Sequence, residues 1–128
     1  MPARANMALM ELLGVHHVAI CVDDVETAIR FYVDGLGCAV RDDRPDFGFP
    51  GAWLDAGAQQ IHLMQFGGRD KVPLQHFALR VNSLDDAITE LERKGIEVRR
   101  SNYVAGAGHQ AFLKDPTGNE IELNQPDH

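Results

Sequence analysis

Apolar and polar residues alternate over 15–22 and again over 74–81, and a period of two predicts a β-strand at each place. Asp23 or Asp24 follows the first run and Ser83 the second, each suited to cap a helix N-terminus. Helices of about ten residues are expected next, ending near Gly35 and Gly95. Short β-like runs come after them at 38–42, 51–55 and 60–66, and then at 96–100, 109–114 and 119–124, with Gly, Pro and Asp in the gaps. The pattern is strand, helix, strand, strand, strand, twice over, which predicts an α+β chain of two tandem βαβββ modules.

The two halves also share residues. VHHVAICVDDVETAI (15–29) lies over LQHFALRVNSLDDAI (74–88), so that His17 falls on His76, Ala19 on Ala78, Val22 on Val81 and Ile29 on Ile88. Further on, DAGAQQIHL (55–63) lies over DPTGNEIEL (115–123), placing Asp55 on Asp115, Ile61 on Ile121 and Leu63 on Leu123. Modules of about 55 residues are too small to bury a good core alone. One domain over 13–125 is therefore expected, built from modules 13–66 and 74–125 that share a core, after an N-terminal extension at 1–12.

Strand parity sorts the side chains. Val18, Ile20 and Val22 share one face, as do Phe77, Leu79 and Val81, and Ile61, Leu63, Ile121 and Leu123 belong with them. These faces should lie beneath the helices, which offer Val25, Ala28, Ile29 and Phe31, and Leu84, Ala87, Ile88 and Leu91. The opposite faces then carry His17, His62, His76 and Glu122, two pairs at repeat-equivalent positions. Three imidazoles and a carboxylate on one side of the sheet match the ligand types of zinc, nickel, iron or manganese sites. Trp53, Phe49 and Phe112 can line a pocket there or pack in the core. Arg80 shares the His76 face and can receive an anionic group, or point outward as a surface arginine. His109, in GAGHQ, is a candidate substrate contact or a surface loop residue. His16 has the wrong parity for a ligand and reads as a rim residue or a support for its neighbour, and His128 is terminal.

Composition narrows the function. The 128 residues are 45% hydrophobic and 24% charged, with 12 Lys and Arg against 19 Asp and Glu and a net charge of −7. That field repels phosphate backbones and anionic lipid, so no nucleic-acid or membrane partner is expected and small-molecule work remains. Cys21 and Cys38 fit neither a CxxC pair nor a zinc knuckle, and as free thiols in apolar runs they suit a reducing cytoplasm. MPARANMALMELL has one arginine and too short an apolar stretch for a signal peptide. No P-loop, GxGxxG, GxSxG or HExxH motif occurs. Asp42, Asp43 and Asp46, with Arg41 and Arg44 between them, read as a solvated turn.

The segments VHHVAICVDDVETAIRFYVDGLG (15–37), WLDAGAQQIHL (53–63), LQHFALRV (74–81) and FLKDPTGNEIEL (112–123) resemble the vicinal oxygen chelate superfamily, which includes glyoxalase I, methylmalonyl-CoA epimerase, extradiol dioxygenases, and fosfomycin- and bleomycin-resistance proteins. The resemblance runs from about residue 13 to 125. It implies paired βαβββ modules whose sheets curl into half-barrels around a divalent metal (zinc, nickel, iron, manganese or cobalt), with ligands from the first and last strands of each module. Those are the places of His17, His62, His76 and Glu122.

The particular members match less well. Glyoxalase I has a carboxylate or glutamine where this chain has His62, and fosfomycin-transferring members have a threonine where it has Ala19. The resemblance therefore implies a glyoxalase-like lyase or isomerase acting on a small substrate with adjacent oxygens, with Glu122 as the base and His62 as its rival. The alternatives are Fe(II)-dependent extradiol oxygenation and sequestration of a drug or metabolite without chemistry. A homodimer is also implied, since family members often build one site from modules of two chains, and closing exposed sheet edges gives a physical reason for it.

Overall fold

The computed structural model describes residues 13–67 and 75–127. The expected N-terminal extension 1–12, Leu74 at the head of the second alternating run, and His128 lie outside the described residues. The first module runs β1 (His17–Val22), α1 (Val25–Arg30), β2 (Ala39–Val40), β3 (Gly51–Ala56) and β4 (Gln59–Gln65). The second runs β5 (His76–Arg80), α2 (Leu84–Arg93), β6 (Arg99–Arg100), β7 (His109–Lys114) and β8 (Glu120–Gln125). Each module forms one open sheet, in the orders β1-β4-β3-β2 and β5-β8-β7-β6. In each, the first strand lies parallel to the last and the other pairs are antiparallel. Neither sheet closes into a barrel.

Local chemistry accounts for the helices. Asp24 caps α1 by accepting from Thr27 N at 2.9 Å, and Ser83 caps α2 by accepting from Asp86 N at 3.2 Å. In α2, Asp85 and Asp86 sit in the first turn and Arg93 in the last, each complementing the helix dipole. Leu84, Ile88 and Leu91 form its buried stripe. Past Arg30, α1 widens into a π-helical turn over Phe31–Gly35. That turn places Tyr32, rather than only Phe31, in the core, where it is fully buried. The second strand of each module is shorter than its apolar run predicts. Only Ala39 and Val40 find a register with β3, and the chain then leaves the sheet through a loop holding Pro45 and Pro50, residues that cannot donate to a ladder.

The predicted parity is the observed one. Val22, Leu54, Ile61, Leu63, Leu113 and Ile121 are fully buried on the helix side, with Val18, Ile20, Phe77 and Leu79 half-buried around them. The modules are tied by the DPTGN turn. Asp115, 4% exposed, accepts from the Tyr32 hydroxyl at 2.9 Å, from Thr117 N at 3.0 Å and from Asn119 N at 2.7 Å. Asn119 Nδ2 donates both to Asp115 and to Cys21 O, and Asp23 N donates to Thr117 Oγ1. Lys94 Nζ closes the far end by donating to Asp34 O and Gly35 O. Burial first, and then the Asp115 carboxylate, push the Tyr32 phenol well above its ordinary range. Asp55, the repeat partner of Asp115, does none of this: it is half-exposed and pairs with Arg41 at 2.8 Å.

Candidate metal centre

Each sheet presents one pair of the predicted ligands on the face turned from its helix. On the first sheet the β1–β4 register sets Ala19 opposite His62, which leaves His17 one pleat away on the same face. The two imidazoles stack, with ring centroids 3.9 Å apart and 14° between planes. Trp53, opposite His62 in the β3–β4 register, stacks on its other side at 4.3 Å and 10°. Gln60 Oε1 lies 2.9 Å from His62 Nε2, and His16 Nδ1 lies 2.9 Å from His17 Nδ1. Burial, followed by the neighbouring His17, His16, Arg41 and Arg44, lowers the His62 pKa, so the ring keeps a lone pair at neutral pH.

On the second sheet His76 Nε2 lies 3.0 Å from Glu122 Oε1, and Asn124 Nδ2 donates to Glu122 Oε2 at 2.8 Å. Glu122 is only 7% exposed. Phe112, opposite Glu122 in the β7–β8 register, meets the His76 ring edge-on at 5.8 Å. Arg99 lies over Phe112 and pairs with Glu120.

These donors suit a divalent cation by type: imidazole nitrogens, and a buried carboxylate whose hydrogen bonds come from an imidazole and an amide. Convergence is a different matter. Among the described residues, no group of three or more His, Cys, Asp or Glu side chains gathers to hold a metal. The structure brings His17 to His62 and His76 to Glu122, and leaves the two pairs apart.

The other predicted residues divide between the two faces. Trp53 and Phe49 belong to the His62 side and Phe112 to the Glu122 side. Arg80 and His17 line one cavity of about 640 Å³ between β1, β5 and α2, whose other walls are largely apolar. His109 is not on the ligand face. It stands three residues before Phe112 on the same strand, so parity turns it the other way, against Tyr103 at 4.7 Å.

Sequence reasoning missed Arg44. Its guanidinium lies 5.1 Å from the Phe47 ring centre and 5.3 Å from that of Phe49, and Nη2 donates to Phe49 O. It belongs to the site's wall rather than to a solvated turn. The aromatic run FGF three residues after it, followed by Gly51, is the signal that could have found it.

Known proteins share this framework. A Bacillus subtilis protein, YwkD, is 34% identical over 89% of this chain and 98% of its own. A probable lactoylglutathione lyase from Synechocystis is 31% identical over 85% of this chain and 92% of its own. The crystal structure of a putative glyoxalase family protein from Bacillus anthracis superposes with a TM-score of 0.83 at 25% identity, covering 92% of this chain and 98% of that one. The profile of one family matches residues 14–123, almost all that the structure describes. With its two βαβββ modules and that match over residues 14–123, this chain belongs to the Glyoxalase/Bleomycin resistance protein/Dioxygenase superfamily.

Proposed function

We propose that the protein is a metal-dependent lyase or isomerase of the glyoxalase kind, acting on a small substrate with adjacent oxygens, and that two chains build each site. The observation that carries this reading is Glu122: a carboxylate 7% exposed, held by His76 and Asn124 and facing away from the helix. His17 and His62 of one protomer would hold the metal together with His76 and Glu122 of the other. A divalent ion there supplies Lewis-acid stabilisation of charge developing on a substrate oxygen. The chain's own groups do the rest. Asn124 fixes Glu122 Oε2, and Oε1, which His76 Nε2 would release on turning to a metal, would then take a proton from a carbon next to a carbonyl. His62, its pKa lowered, is the second acceptor. Trp53 and Phe112 bring apolar surface to the two donor pairs and limit water there. The free thiols Cys21 and Cys38 accord with work in a reducing cytoplasm.

Co-expression of a His17→Ala chain with a Glu122→Gln chain tests the arrangement. Sites made across chains put both lesions in one site of the mixed dimer and leave its other site intact. The mixed dimer should then bind about one metal per two chains and exchange solvent deuterium into a converted substrate, while each parent binds weakly and is inactive. Mixed dimers as inert as the parents, or wild-type protein that takes up no metal, would overturn the reading. Oxygen consumption without deuterium exchange would replace it with oxygenation.

A further inference from the structure

The loop between β2 and β3 folds back over the first sheet and builds a feature that metal binding does not use. Gly51 opens β3 opposite Met64, on the same face as Trp53 and His62. A Cβ at this position would sit 2.4 Å from Leu63 O and 2.7 Å from Arg44 Nη2, so a bare backbone is what lets Arg44 lie there. Phe47 and Phe49 stack at 5.9 Å and 22°, and the guanidinium lies beside both rings, fixed by a hydrogen bond that it donates to Phe49 O. Phe47 reaches Trp53 at 6.1 Å, continuing the ring wall towards His62. Half of Phe47 and 41% of Phe66 are exposed, an apolar surface beside the candidate ligands.

Charge completes the picture. Arg41, from the same loop, is neutralised by Asp43 at 2.8 Å and Asp55 at 2.8 Å. Arg44 makes no ion pair among the described residues, although Asp42, Asp43 and Asp46 are close in sequence, and Asp46 is used instead to cap Gly48 N. In a chain of net charge −7, an arginine immobilised against two aromatic rings, with no ion pair among the described residues, is poised for a carboxylate brought by a ligand.

We infer that Arg44 and the rings of Phe47, Phe49 and Trp53 form a docking ledge for a flat, unsaturated organic acid, the carboxylate on Arg44 and the planar body on the rings. The inference names a substrate class for the site proposed above, and rests on that reading only for the chemistry that follows docking. The ledge would read flatness and one negative charge, next to the position where adjacent oxygens would meet the metal.

Docking can be measured without metal, by calorimetry on chelator-treated full-length protein. The probes are 2-naphthoate, flat and anionic; 2-naphthamide, flat and neutral; and decahydronaphthalene-2-carboxylate, anionic but puckered. Naphthoate should bind about fivefold or more tightly than either control. Arg44→Gln should abolish the preference for naphthoate over naphthamide while shifting naphthamide by no more than about twofold, and Arg44→Lys should restore only part of it. Equal binding of the three probes by wild-type protein, no heat with naphthoate, or a preference that survives in Arg44→Gln would overturn the inference. Failure here with metal bound at the mixed-dimer site removes only the substrate class, whereas naphthoate binding in a protein that takes up no metal removes only the chemistry.

Discussion

At the residue scale the firmest contact is between Tyr32 and Asp115. The phenol is fully buried in one module and donates to a buried carboxylate in the other. Loss of that bond in Tyr32→Phe should cost ~1–2 kcal/mol at neutral pH, since Asp115 keeps its bonds from Thr117 and Asn119. The pH dependence has a definite sign. Above the ordinary tyrosine pKa near 10, the unfolded chain gives up this proton while the folded chain, with its pKa raised, keeps it. The unfolded state then binds fewer protons, and stability falls with rising pH by about 1.4 kcal/mol per unit. Tyr32→Phe should remove that alkaline slope. Urea unfolding of both proteins from about pH 7 to about pH 11 measures it, and a variant as steep as the wild type would contradict the assignment.

Single residues also mark where a sequence can be read and where it cannot. Asp55 and Asp115 are repeat partners, yet one is a half-exposed partner of Arg41 and the other a buried hub. The difference comes from what each meets in the fold, a loop arginine or a tyrosine of the other module, and local pattern does not carry that. Arg44 is the converse case. Within DDRPD it reads as one charge among many, and only the return of the loop onto Gly51 gives it an aromatic setting.

Elements are where the pattern was most legible. Alternation located β1 and β5, short β-like runs located β4 and β8, and strand parity put His17, His62, His76 and Glu122 on the faces turned from the helices. That worked because a strand has period two and one side of each sheet is covered by a helix, so a register slip would expose Ile61, Leu63, Ile121 and Leu123 together. The same rule turns His109 from the ligand face, since it stands an odd number of residues from Phe112 on one strand. The shortness of β2 and β6 depends on pairing with β3 and β7, which apolar content alone does not limit.

The β3–β4 pair offers a test at this scale. Gly51→Ala must shift both the Leu63 carbonyl and Arg44 relative to the new methyl, which would stand 2.4 Å from one and 2.7 Å from the other. Overpacking of this kind should cost ~1–3 kcal/mol and weaken naphthoate binding together with stability. Gly57→Ala, at a turn with φ +62 and nothing within 4 Å of the new methyl, should lower stability through backbone strain and leave naphthoate binding unchanged. Thermal melts run beside the calorimetry separate the two. Tight naphthoate binding by Gly51→Ala would show that Arg44 does not need its glycine cradle.

At the scale of the whole molecule, the sheets end in open strands. The orders β1-β4-β3-β2 and β5-β8-β7-β6 put β1 and β5, which carry His17 and His76, on sheet edges with one side of each ladder unpaired. A second copy can cover those edges and bring the two donor pairs together, which the described residues of one chain do not do. Light scattering at micromolar concentration should therefore give twice the 14.1 kDa chain mass. A monomer at that concentration would defeat both the dimer and the shared site.

The sequence by itself determined the two βαβββ modules, the helix cap at Ser83 and one at Asp23 or Asp24, and which face of each sheet is polar, because these follow from local periodicity and short-range hydrogen bonding. The tertiary structure decided the rest: that Tyr32 reaches Asp115 across 83 residues, that His17 stacks on His62 while His76 meets Glu122 elsewhere, and that Arg44 lies against two phenylalanines. Each of these depends on how distant segments close upon one another, and that closure is set by the packing of the whole core rather than by any one stretch of chain.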